Sequence, residues 1–90
     1  MTKKLYQNFE SSDTLDQTDA RINRIIFVNY SGSAQVFGAY IGEDATGTPI
    51  CRHSVNNNKT IILNYNGLLA SDLYIELPGG GSLNAIVVYE

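Results

Sequence analysis

Cys51 and His53 are the pair best placed to do chemistry, because two residues apart on an extended segment puts both side chains on one face. A soft metal could bridge a thiolate and an imidazole, yet zinc asks for four ligands, and the chain holds one Cys and one His. Glu43, Asp44 or a second subunit would have to supply the others. The same pair as nucleophile and base would need an orienting acid and an oxyanion site, which the spacing does not provide. Arg52 points to the opposite face. No catalytic residue and no metal or other cofactor is therefore expected. The competing expectation is a small buried Cys or two solvent-facing side chains.

The remaining constellations are weaker. Asp13, Asp16 and Asp19 recur every third residue, but a calcium loop alternates its ligands around a central Gly, which is missing here. Glu43 and Asp44 adjoin in a loop, which does not aim two carboxylates across a substrate. Gly79-Gly80-Gly81 lacks the Lys-Ser/Thr and helix of a phosphate cradle and reads as a turn. Asn29-Tyr30-Ser31 and Asn58-Lys59-Thr60 match glycosylation acceptors without a secretory leader to use them. Six Tyr remain, and Tyr40, Tyr65, Tyr74 and Tyr89 near strand ends or on outward positions suit a docking or sugar-stacking surface.

The elements that would carry these residues are strands. From residue 22 onward, β-branched and aromatic runs at 22–30, 34–41, 49–55, 60–65, 72–77 and 83–89 are each closed by Gly, Asn, Pro or Asp. The separators, including 66–71, are rich in residues that turn or accept positive φ. Such spacing predicts a small antiparallel β-sandwich, jelly-roll-like or immunoglobulin-like, of about six or seven strands. In 72–77 the alternation buries Leu73, Ile75 and Leu77 on one side only. Ile25-Ile26-Phe27-Val28 and Ala85-Ile86-Val87-Val88 are apolar on both sides, so a second layer or a partner must cover them. Asn29 and Asn84 interrupt these runs and need partners if buried.

Residues 1–21 form a polar N-terminal arm and residues 22–90 the sandwich domain. The arm reads as a short strand at 4–9 followed by a solvated loop, with Leu5, Tyr6 and Phe9 as apolar anchors to the domain or to a neighbour. A capped helix from Ser12 or Asp13 would have Leu15 alone as its apolar face.

Composition narrows the function classes. Ninety residues make one domain. Nine acids oppose six bases, and Arg52 and Lys59 are the only bases after residue 24, which leaves no phosphate-tracking surface for nucleic acid. The apolar runs are too short for a membrane helix, and polar Gln7, Asn8, Glu10 and Ser11 follow Lys3 and Lys4 where a signal peptide would be apolar. A single Cys excludes an internal disulfide, so packing or association with other copies must stabilise so small a domain.

The order Ile25-Ile26-Phe27-Val28-Asn29-Tyr30-Ser31-Gly32, a short strand at 36–41, Ile61-Ile62-Leu63-Asn64, Gly67-Leu68-Leu69-Ala70-Ser71-Asp72-Leu73-Tyr74-Ile75 and Asn84-Ala85-Ile86-Val87-Val88-Tyr89-Glu90 resembles small β-sandwich structural proteins of tailed-bacteriophage virions. Ser71 departs from the Gly expected before Asp72. The resemblance implies a non-enzymatic capsid decoration or cement protein, or an auxiliary head or tail protein, made in the bacterial cytoplasm and carried on the virion. It implies a phage major capsid or tail protein as partner and a homo-oligomer, with contacts through strand edges, Leu5, Tyr6, Phe9 and the exposed Tyr residues. A carbohydrate-binding, lectin-like module is the competing expectation, with Tyr65 and Tyr74 as stacking platforms and no Trp to help them.

Overall fold

A computed structural model describes residues 5–79 and 82–90. Lys4, expected to open the first strand, and Gly80 and Gly81 of the expected turn lie outside them. The strands are β1 (Leu5–Phe9), β2 (Asp13–Thr14), β3 (Ala20–Asn29), β4 (Gln35–Ile41), β5 (Thr48–Val55), β6 (Lys59–Ala70), β7 (Leu73–Glu76) and β8 (Leu83–Tyr89). They build two four-stranded antiparallel sheets, in the orders β1-β8-β3-β6 and β2-β7-β4-β5. Among the described residues there is no helix.

The pairing is nested: β1 with β8, β2 with β7, β3 with β6 and β4 with β5. The chain is thus one long hairpin with its tip between β4 and β5, rolled so that β3 meets β8 and β4 meets β7. That is the jelly roll, an all-β sandwich in which successive strands alternate between layers except at the tip, where β4 and β5 share one sheet. Asp44 shapes the tip by accepting from the Thr46 backbone N–H at 2.9 Å and from the Thr46 hydroxyl.

Between the layers lie Phe9, Leu15, Ile22, Ile25, Phe27, Phe37, Val55, Leu73, Ile75 and Val87, all nearly inaccessible. Phe27 and Phe37 meet across the core with ring centroids 5.0 Å apart. Each such side chain contributes about 1.5–3 kcal/mol through burial. In a domain of this size that is the main stabilising term, since no disulfide exists to share it.

The expected sandwich holds, with three departures. Residues 5–14 supply two more strands than sequence reading assigned to the body, because β1 completes one sheet and β2 the other. The stretch read as a solvated loop is bound along its length: Leu15 N–H donates to Leu73 O at 2.8 Å, and the Ser12 hydroxyl donates to Leu77 O and accepts from Leu77 N–H. Leu15 itself is 3% exposed.

The third departure is at 66–71, where a turn was expected and β6 instead runs on to Ala70. Asn66 and Gly67 do adopt positive φ, 52° and 88°, but they form a bulge inside the strand. There Ile22 pairs with Leu68 and Arg24 with Asn64, so Asn23 alone stands against three residues of β6. The bulge reverses the side-chain alternation on both strands. Ile22 and Ile25 consequently both face the core although they are three residues apart.

As expected, β3 and β8 are apolar on both sides. The inner side, with Ile25, Phe27, Ala85 and Val87, is covered by the second sheet. No element among the described residues lies across the outer side.

Candidate functional site

The expected contact residues divide over four places. Phe9 is 3% exposed and belongs to the core, and Leu5 packs half-buried against it. Of the arm anchors only Tyr6 faces solvent, at 72% exposure. Period two in 5–9 already sets Leu5 and Phe9 on one face and Tyr6 on the other, a division that grouping the three as anchors passed over.

Tyr40 and Tyr74 are directly opposed on β4 and β7, on the outer face of the β2-β7-β4-β5 sheet, with ring centroids 6.3 Å apart. Tyr40 lies over Gly38 and donates its hydroxyl to Glu76 Oε1 at 2.9 Å. A Cβ at Gly38 would stand 3.2 Å from both the Tyr40 ring and Glu76 Oε1, so the glycine is what lets the ring lie flat. The bond to the Glu76 carboxylate, followed by burial, raises the Tyr40 pKa above its ordinary value. Tyr40 is thereby spent inside its own sheet rather than offered to a partner.

Tyr65 sits on the inner side of β6, at the open side of the sandwich where β5 and β6 approach. Its hydroxyl donates to Ile50 O at 3.3 Å and lies beside the Cys51 thiol. Burial first, then the neighbouring sulfur, pushes the Tyr65 phenol up. Burial likewise raises the Cys51 thiol, against a smaller lowering by Tyr65 and the Ala39 backbone. A raised thiol is a poor nucleophile and a poor metal ligand at neutral pH. His53 is exposed while Cys51 is half-buried, and among the described residues no group of three or more His, Cys, Asp or Glu could hold a metal ion.

What the structure adds is the outer face of β1-β8-β3-β6. Its rows follow from register: Tyr6, Val88, Arg24 and Asn64; then Asn8, Ile86, Ile26 and Ile62; then Asn84, Val28 and Thr60. An apolar band of Ile86, Ile26 and Ile62 crosses the sheet, flanked by Val28 and Tyr6, and ends on β6, where Ile62 is 55% exposed. The doubled apolar runs in the sequence were the signal for it. Beyond the last row, Asn8, Glu10, Tyr30, Ser82, Leu83 and Asn84 line a hollow of about 490 Å³.

Compared with protein-family models, curated proteins and solved structures, the chain shows no match.

Proposed function

We propose that this chain is a non-enzymatic structural protein of a phage virion, a capsid decoration or auxiliary head or tail subunit that attaches to an assembled protein lattice. The observation that carries the reading is the uncovered apolar band of Ile86, Ile26, Val28 and Ile62 with Tyr6 beside it. Contiguous exposed apolar surface on a small domain marks an interaction site. Strands β1, β5 and β6 each have a neighbour on one side only, so their outer edges add main-chain donors and acceptors to the contact. The jelly roll is an architecture of viral capsid domains, which favours the reading as an analogy of fold and not as proof of function.

The test is co-sedimentation of the purified chain with capsids and with tail tubes assembled from the products of the neighbouring genes. Binding to one of them is expected, weakened roughly ten-fold or more by Ile62→Asp, which places a charge in a desolvated contact. A chain that stays in the supernatant with both assemblies, or an Ile62→Asp variant that binds as well as the parent, would overturn the proposal.

A further inference from the structure

We infer that the hollow at the end of the β1-β8-β3-β6 face is a binding site for a neutral saccharide, stacked on Tyr30 and hydrogen-bonded by Asn8, Asn84, Glu10 and Ser82. Its volume of about 490 Å³ accommodates one or two sugar rings. Tyr30 follows β3 with its side chain 55% exposed, and its backbone N–H donates to Ser82 O at 2.8 Å, just past the last rung between β3 and β8. That bond fixes the root of the ring beside the Ser82 hydroxyl. On the adjoining strands Asn84 Nδ2 donates to Asn8 Oδ1 at 2.7 Å, which orients both amides.

The orientation decides the ligand class. With that bond made, Asn8 presents its amide hydrogens and Asn84 its carbonyl oxygen, while the Glu10 carboxylate accepts and the Tyr30 and Ser82 hydroxyls do either. The lining thus offers both donors and acceptors beside one exposed aromatic ring. A sugar has that same combination, hydroxyls that both donate and accept around a face of C–H groups. An anionic ligand would meet the Glu10 charge, and the amide and hydroxyl donors of the lining have no use for a cation. Leu83, 9% exposed with its side chain in the core, closes the hollow on the side of the sandwich.

Tyr65 and Tyr74, the platforms that sequence reading favoured for a sugar, are far from this hollow: one lies on the inner side of β6, the other on the opposite sheet. The site does not depend on the lattice-docking reading. It lies at the polar end of the face, past the apolar band.

The experiment is an amide-resolved NMR titration of the full chain with methyl glycosides of glucose, galactose, mannose and N-acetylglucosamine. At least one is expected to shift the Asn8, Tyr30 and Asn84 signals saturably. Tyr30→Ala should weaken that binding roughly ten-fold, Asn84→Ala comparably, and Tyr74→Ala not at all. Unchanged lattice co-sedimentation by Tyr30→Ala keeps this outcome distinct from the docking proposal. The inference is overturned if none of the glycosides moves these signals, if Tyr30→Ala and Asn84→Ala, both folded by their spectra, bind as well as the parent, or if guanidinium ion shifts the same signals more strongly than every sugar.

Discussion

Asn29 is the buried polar side chain around which the β3 end of the sandwich is organised. It is fully inaccessible, and Nδ2 donates to Val55 O at 2.7 Å and Ser33 O at 2.9 Å while Oδ1 accepts from Ser31 N–H at 2.9 Å. One amide therefore ties β3, the following turn and β5. Asn29→Ala strands three backbone groups, of which the Val55 carbonyl is buried and the Ser33 carbonyl and Ser31 N–H are part-buried and regain water, so at about 1–3 kcal/mol for a group left unsatisfied a loss of roughly 2–4 kcal/mol is expected by denaturant unfolding. Asn29→Asp should be no better, since a carboxylate cannot donate to the two carbonyls and carries a buried charge. A second residue-scale expectation concerns alkaline pH. Cys51, Tyr40 and Tyr65 all have raised pKa values, from ordinary values of 9.0, 10.0 and 10.0. The unfolded chain releases these protons first, so the stability they contribute is complete below about pH 9 and declines as pH climbs through the window between ordinary and raised values. The unfolding midpoint should fall from about pH 9 upward, and Tyr65→Phe should make that fall shallower while costing only about 0.5–1 kcal/mol at neutral pH. A midpoint that is flat over this range would contradict the assignment.

At the scale of elements, the instructive strand is β6. Asn66-Gly67 is a strong turn signal in sequence, and the two residues do take the positive φ that the signal implies. What the sequence does not display is that Leu68, Leu69 and Ala70 resume pairing with Ile22, Arg21 and Ala20, because a bulge and a turn use the same residue types and only the partner strand tells them apart. The six body strands were legible because their runs are short, β-branched and cleanly separated. Of the two arm strands β1 was legible as the short strand at 4–9, whereas β2 was not, because it is two residues long and is held by Ser12, Leu15 and Asp19 backbone and hydroxyl bonds that carry no periodicity. Of the candidate site, the doubled apolar runs of β3 and β8 announced an uncovered face, whereas the hollow joins residues from 8 to 84 that meet only through the nesting. Gly67 supplies the test at this scale. Nothing lies within 4 Å of a Cβ built there, so Gly67→Ala meets no clash and suffers only from its φ of 88°. A loss of about 1–2 kcal/mol is expected. Gly79→Ala, equally unobstructed and free of positive φ, should be near neutral in the same denaturation series.

For the molecule as a whole, nesting means that the first strand and the last are neighbours, so β1 caps β8 along its entire length from Leu5 opposite Tyr89 to Phe9 opposite Ala85. Removing residues 1–14 would delete an edge strand from each sheet at once, uncover β8 and β7, and take Phe9 out of the core. Loss of the Phe9 side chain alone is worth about 3–5 kcal/mol, comparable with the entire stability of a domain this small. A variant beginning at Leu15 is therefore expected to give an unfolded NMR spectrum or to aggregate through the bared β8 edge. Phe9→Leu, which keeps most of the volume, should fold with a loss of about 1–2 kcal/mol. Supplying residues 1–14 as a separate peptide offers the sharper measurement, because strand addition to β8 and β7 would restore the dispersed spectrum in trans if the remaining six strands keep their register. A truncated chain that folds by itself to the parent stability would show that the segment is an appendage and that the roll closes without it.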